Sequence, residues 1–220
     1  WEWFAIAKAM ESTKIFPDFI VIDGAEGGTG AAPVEFADNI GMPMREGLRL
    51  VHNTLIGLNI RDEIKLGCAG RIISAFDIAR CISLGADWCN SARGFMFSLG
   101  CIQSRSCHTD HCPTGVATQD LLRQTALNVK DKSLRVKNFH GNTIKILAEM
   151  ISAAGLKSIK EINPDLIMSR ESAMKVSTIA TYLPTIKQGS LIDTKEIINA
   201  PPLFKKYWHQ ASEESFSRLI

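Results

Sequence analysis

The feature that most limits how this chain can fold is an alternation. Phe16 to Asp23 carries the apolar, partly β-branched run Phe19-Ile20-Val21-Ile22, which suits a buried parallel strand. Pro43 then opens a helix over about Met44 to Ile60, with apolar residues at helical spacing and proline in the first turn. Glu63 to Ala69 reads as a second strand and Gly70-Arg71 as its turn. Ser74 caps a second helix, with Asp77 three residues on as the other half of a capping box, and Gly85 ends it. Ala86 to Ser91 is a third, very short strand. Strands that alternate with helices in this way lie parallel and are joined by crossovers. An open doubly wound sheet and part of a (β/α) barrel both satisfy that order.

Three strands make a very narrow open sheet, but they are three-eighths of a barrel. The chain also opens without Met, on Trp1-Glu2-Trp3-Phe4, inside an amphipathic helical pattern over residues 2–12. We therefore expect a fragment: an α/β fold forming the C-terminal part of a (β/α)8 TIM-like barrel, with a cysteine-rich loop and a helical C-terminal extension. Residues 1–118 would supply the βα units and the loop 101–113. Residues 119–220 would supply the extension, with helices over 119–127 and from Asp131 to Ala154 and a break at Asn163-Pro164. The tail from 184 on carries Pro184, Pro201 and Pro202 and reads as irregular packing on the barrel.

The loop itself runs Cys101-Ile102-Gln103-Ser104-Arg105-Ser106-Cys107-His108-Thr109-Asp110-His111-Cys112-Pro113. Thiolates are soft ligands, and three of them in one short loop can converge on an inorganic centre. Three ligands suit a cluster with three irons, since a four-iron cluster normally takes a fourth thiolate. Zinc is a second reading, with His108 or His111 completing the set, although no CxxC knuckle is present. A disulfide leaves one thiol over, and plain buried thiols are the ordinary state of an isolated cysteine. Cys68, Cys81 and Cys89 fall in apolar runs and read as inert core thiols.

The remaining composition mostly excludes. The net charge of +2 is spread without a long run of one sign, so no nucleic acid or other polyanionic partner is implied. No apolar run reaches the length of a membrane span, and no basic stretch is followed by an apolar one, so no signal peptide is expected. Six cysteines in 220 residues are too sparse for a disulfide scaffold, which places the chain in a reducing cytoplasm.

Sites in βα barrels lie at the C-terminal ends of the strands, with phosphate held by the last two βα loops. Gly70-Arg71 and Ala92-Arg93-Gly94 occupy matching positions after the second and third strands. Backbone N–H groups there can hold a phosphate, and arginine adds a bidentate contact, although Gly–Arg pairs are also common in ordinary turns. Gly27-Gly28-Thr29-Gly30 would approach the same mouth, allowing close backbone contact with a flat ring. Asp23 and Glu26 flank it as candidates for substrate binding or proton transfer, or as caps of the next turn. His52 and His140 read as solvent-facing or satisfied core histidines.

Two segments carry a resemblance. Gly24-Ala25-Glu26-Gly27-Gly28-Thr29-Gly30-Ala31-Ala32-Pro33 resembles the GxxGGTGAxP loop of the glutamate synthase FMN domain. Leu99-Gly100-Cys101 through Cys112-Pro113-Thr114-Gly115-Val116-Ala117-Thr118-Gln119 resembles its GC-x5-C-x4-CP-x-GVATQ segment. The resemblance covers nearly the whole chain. It implies FMN on a βα barrel and a [3Fe-4S] cluster held by Cys101, Cys107 and Cys112. Reduced FMN, fed through the cluster by an electron donor protein or reductase subunit, would reduce 2-iminoglutarate, formed from 2-oxoglutarate and ammonia, to L-glutamate. Gly27, Gly28, Thr29 and Gly30 would line the flavin and substrate mouth, and Gly70, Arg71, Ala92 and Arg93 would hold the FMN phosphate. Two departures stand out: Cys68-Ala69-Gly70 replaces the family's Asp-Gly-Gly, and Ala92-Arg93 replaces its Gly-Thr. The family's first barrel strands and its amidotransferase domain have no counterpart in this sequence. A flavin/iron–sulfur electron-transfer module for another substrate, or an inactive truncated chain that folds only as a homo-oligomer or with a partner, are the rival readings.

Overall fold

The computed structural model describes residues 1–24, 39–193 and 195–217. Three strands, β1 (Phe19–Asp23), β2 (Lys65–Ala69) and β3 (Trp88–Asn90), form one parallel sheet in the order β1-β2-β3. Between and around them run α1 (Glu2–Thr13), α2 (Met44–Gly57), α3 (Ala75–Ser83) and α4 (Arg93–Leu99). A long α5 (Val129–Ala153) follows, and α6 (Pro202–Tyr207) lies near the end. No closed barrel is seen among the described residues: the structure is a partial α/β fold, its sheet bounded by β1 on one side and β3 on the other.

The two faces of the sheet differ, and register sets the difference. Ile20, Ile22, Leu66 and Cys68 face the helices and are buried or half-buried. Phe19, Val21, Asp23 and Lys65 alternate with them onto the opposite face and are exposed. On that open face Trp88 lies opposite Gly67, and Phe19 meets the Trp88 ring edge-on at 5.7 Å. Gly67 is required there because a Cβ would sit 2.5 Å from the indole. The helix-facing side is the core, where Leu48, Leu55, Ile64, Leu66, Cys68 and Leu84 are fully enclosed.

Local signals account for most boundaries. The Ser74 side chain accepts from the Asp77 N–H and the Asp77 carboxylate accepts from the Ser74 N–H, the expected capping box. α2 stops at Gly57, three residues short of the expected end, because Asn59 turns left-handed at φ 60°. The apolar stretch Phe95 to Leu99 is helical. Beyond α5, Met168–Arg170 and Val176–Thr178 pair as an antiparallel hairpin that the sequence did not announce.

The tail is tied into the same core. Phe204 and Trp208 pack on Phe4 at 5.1 and 5.4 Å between ring centres. Buried Arg49 donates through Nε to the Leu183 carbonyl at 2.9 Å and through NH2 to the Thr185 hydroxyl. Asn53 donates to the Pro184 carbonyl at 2.9 Å.

A second polar knot joins the N-terminal ends of β2 and β3. Arg61 donates to His52 Nδ1 at 3.0 Å, to the Ile64 and Gly85 carbonyls at 2.8 Å each, and to Asp87 Oδ2 at 2.9 Å. The same carboxylate oxygen accepts from the Leu66 N–H at 2.8 Å. Burial, and then the Arg61 and Arg49 charges, push the His52 pKa down to about 3, against the opposing pull of Asp87. His52 therefore stays neutral in the folded chain at pH values where the unfolded chain takes up a proton. This stability is complete above the ordinary histidine value of 6.5 and is lost as the pH falls from there towards about 3. We expect urea melts to show the loss as acidification begins, at up to about 1.4 kcal/mol per pH unit for this one group. His52→Asn keeps an acceptor for Arg61 but cannot titrate, so it should flatten the dependence between pH 7 and about pH 5.

Candidate functional site

Parallel strands put all their C-terminal ends at one edge of the sheet, and three predicted positions meet there. Asp23 ends β1 opposite Ala69, the last residue of β2, and the Gly24 N–H donates to the Ala69 carbonyl at 3.0 Å. Gly70 and Arg71 follow directly, with φ of 142° and 48°, a tight left-handed turn. Ala92 and Arg93 stand at the start of α4, two residues beyond β3. The two loops are fastened together: the Ser91 hydroxyl donates to the Ile72 carbonyl at 2.7 Å. Gly94 is buried, and a Cβ on it would lie 3.1 Å from the Ile73 carbonyl. Asp23 and Arg71 are exposed on this edge and Arg93 is half-buried. Glu26, Gly27, Gly28, Thr29 and Gly30 lie outside the described residues.

The cysteine loop leaves from the far end of α4, whose seven residues span about 10 Å. Gly100 turns left-handed and the Cys101 N–H returns to the Met96 carbonyl at 3.0 Å. Gln103, Arg105 and Asp110 all have positive φ, between 57° and 64°. Three such residues in one loop are costly unless the surroundings fix them. The far side is indeed pinned: the Thr118 hydroxyl donates to the Asp110 carbonyl and the Gln119 N–H to its carboxylate, both at 2.6 Å. Cys101 and Cys107 are half-buried and Cys112 is buried.

Cys112 has a thiolate environment. Burial raises its pKa, but the Thr114 hydroxyl and the backbone N–H groups of Ala117, Thr114 and Val116 outweigh burial and bring the value down to about 7. Hydrogen bonds to the charged form are what a metal-bound sulfur also receives. A lysine that pairs with Asp131 at 3.9 Å lies beside the start of the loop. Lys132 on α5 places its Nζ 3.4 Å from where a Gly100 Cβ would be, with its side chain only 17% exposed. Nothing in the sequence pointed to Lys132, which is brought there by the packing of α5 on α4.

The loop thiols do not form a tight three-ligand group of the single-ion kind. Among the described residues that group is Cys68, Cys81 and Cys89, whose sulfurs all lie within 4.8 Å of one another. His108 and His111 are exposed and join no such group among the described residues. His140 is exposed on α5, stacked on Phe95 at 6.1 Å.

Fold and site together define an α/β chain with a loop pair at the strand ends and a separate cysteine loop. The model of the conserved region in glutamate synthase matches residues 5–157, and the chain belongs to that family. It is 40% identical over 162 residues to the glutamate synthase large subunit-like protein YerD of Bacillus subtilis, covering 74% of this chain and 31% of that one. It is 33% identical to the glutamate synthase [NADPH] large chain of the same organism, covering 73% and 10%. With an archaeal glutamate synthase [NADPH] of Methanocaldococcus jannaschii the identity is 34%, covering 66% and 28%. The chain thus spans at most about a third of these relatives. A flavocytochrome b2 mutant with pyruvate bound superposes with a TM-score of 0.45 at 13% identity, covering 72% of this chain and 31% of that one, too slight a likeness to build on. The family is one of oxidoreductases. No described helix is long and apolar enough to cross a membrane.

The Cys112 environment is directly measurable. The difference between ultraviolet thiolate titrations of the wild-type chain and Cys112→Ser should show a midpoint near the value of about 7 given by its hydrogen bonds. Thr114→Val should move the midpoint upward, towards the ordinary thiol range, and an unmoved midpoint would remove the hydroxyl from the account.

Proposed function

We propose that this chain is the flavin-phosphate and cluster-binding part of a glutamate synthase-type oxidoreductase. One observation carries the reading: in a chain of this family, the two loops at the ends of β2 and β3 are fastened into one surface by the Ser91–Ile72 hydrogen bond. Gly70, Arg71, Ala92 and Arg93 would hold the FMN phosphate on that surface, by backbone N–H groups and two guanidinium charges. Cys101, Cys107 and Cys112 would ligate a [3Fe-4S] cluster, with Thr114 and its neighbouring N–H groups supporting the Cys112 sulfur. When bound, the flavin supplies hydride chemistry and the cluster single electrons.

The chain's own contribution is placement. β2 and β3 set the phosphate loops side by side, and α4 sets the separation between them and the cysteine loop. Asp23 and Glu26, with Gly27 to Gly30, would lie nearest the substrate, which we take to be 2-oxoglutarate with ammonia. In this reading residues 1–118 form the last βα units of a (β/α)8 barrel and residues 119–220 its extension. The open sheet face with Phe19, Val21 and Trp88 would then point into the barrel. Six free thiols fit a reducing, cytoplasmic setting.

Binding of FMN and of riboflavin, followed by quenching of flavin fluorescence, tests the phosphate surface. FMN should bind at least about tenfold more tightly than riboflavin, as expected for charge-assisted contacts to the phosphate. Arg93→Ala should erase most of that preference while leaving riboflavin binding alone. Equal affinity for the two flavins would contradict the assignment.

A further inference from the structure

Cys68, Cys81 and Cys89 have no part in the function proposed above, yet the fold brings them together from three separate elements. Cys68 and Cys89 are register partners on β2 and β3 and share the helix-facing side. Cys81 descends on them from α3. The Cys68 and Cys89 sulfurs are 3.7 Å apart and all three lie within 4.8 Å. Cys68 and Cys81 are fully enclosed, at 0% and 1% exposure, and Cys89 is half-buried. Core packing alone needs only small apolar groups at such positions.

The spacing is that of one ion. With metal–sulfur bonds of about 2.3 Å, three thiolates around a single cation lie roughly 3.8 to 4.0 Å apart. A multi-iron cluster does not fit, since its thiolates bind different irons. The ligand count narrows the ion further. No other described His, Cys, Asp or Glu joins the group, whereas structural zinc takes four ligands. Soft thiolates alone, in a three-coordinate set, select monovalent copper.

A second observation concerns charge. Three thiolates and one monovalent cation leave a buried net negative charge, which needs compensation. Arg80, the neighbour of Cys81, is a cation that pairs with Asp77 through its NH2 group but whose Nε is buried and has no hydrogen-bond partner among the described residues. We propose that Cys68, Cys81 and Cys89 form a buried three-thiolate site for a single Cu(I) ion, distinct from the cysteine loop. Binding exchanges three S–H bonds for three copper–sulfur bonds and releases three protons to solvent, with no change of oxidation state.

The test is an anaerobic titration with Cu(I) against a chromophoric copper chelator, using the full chain, Cys101→Ser/Cys107→Ser/Cys112→Ser, Cys81→Ala and Cys89→Ala. Circular dichroism checks each fold. The loop-substituted chain should hold one copper, with an X-ray absorption shell of three sulfurs and a raised melting temperature. Cys81→Ala and Cys89→Ala should each bind one copper fewer than the wild type, whatever the loop takes up. The wild-type comparison stands even if the loop-substituted chain fails to fold. Unchanged copper stoichiometry in folded Cys81→Ala and Cys89→Ala overturns the proposal. So does a folded loop-substituted chain that takes up no copper, or one that prefers Zn(II). None of these outcomes bears on flavin or iron binding, so this site and the proposed function fail separately.

Discussion

Everything in this chain hangs on β2 being paired on both sides. Its five residues bond β1 along their whole length and β3 over the last three. That double pairing fixes which side of β2 faces the helices, because a one-residue slip would turn every side chain over. It puts Leu66 and Cys68 in the core and leaves Gly67 to receive Trp88 on the open face. It also brings the loops after β2 and β3 to the same edge. The Arg61 knot locks the opposite edge, where Asp87 serves the first N–H of the pairing and the guanidinium at once. Held at both ends, β2 and β3 have little freedom to shift.

Two groups of thiols follow from two different structural devices. The loop thiols are separated along an irregular segment whose shape depends on left-handed residues and on side chains of Asp110 and Thr118. Such a segment can hold an extended inorganic group, because its ligands come from positions that are not rigidly bound to one another. The second group is assembled by sheet register and helix packing, the most rigid parts of the fold. Its ligands are close and enclosed, and suit a single ion.

How much of this could be read from the sequence depends on how local each cause is. The strand order, the Ser74–Asp77 capping box and the Gly155 end of the long helix rest on neighbouring residues, and all were legible. The three cysteines of the loop and the two Gly/Ala–Arg turns were legible as positions, though the hydrogen bond that joins the turns was not. β3 spans only Trp88–Asn90, shorter than the expected Ala86 to Ser91, although the Asp87 backbone N–H still donates to the Leu66 carbonyl at 2.7 Å. The 168–178 hairpin carries no clear alternation, and it was missed. Cys68, Cys81 and Cys89 looked like isolated core thiols. Their meeting depends on register between strands and on the rotation of α3, which spacing along the chain does not encode. Lys132 reaches the loop for the same kind of reason.

The most direct test of the central claim is to count iron and acid-labile sulfide in the anaerobically reconstituted chain and in Cys107→Ser. The account predicts about three irons and about four sulfides per wild-type chain, as a [3Fe-4S] cluster requires, and a loss of most of both in the variant. A wild-type chain that is folded but holds neither iron nor sulfide, or one whose iron is unaffected by Cys107→Ser, would contradict it.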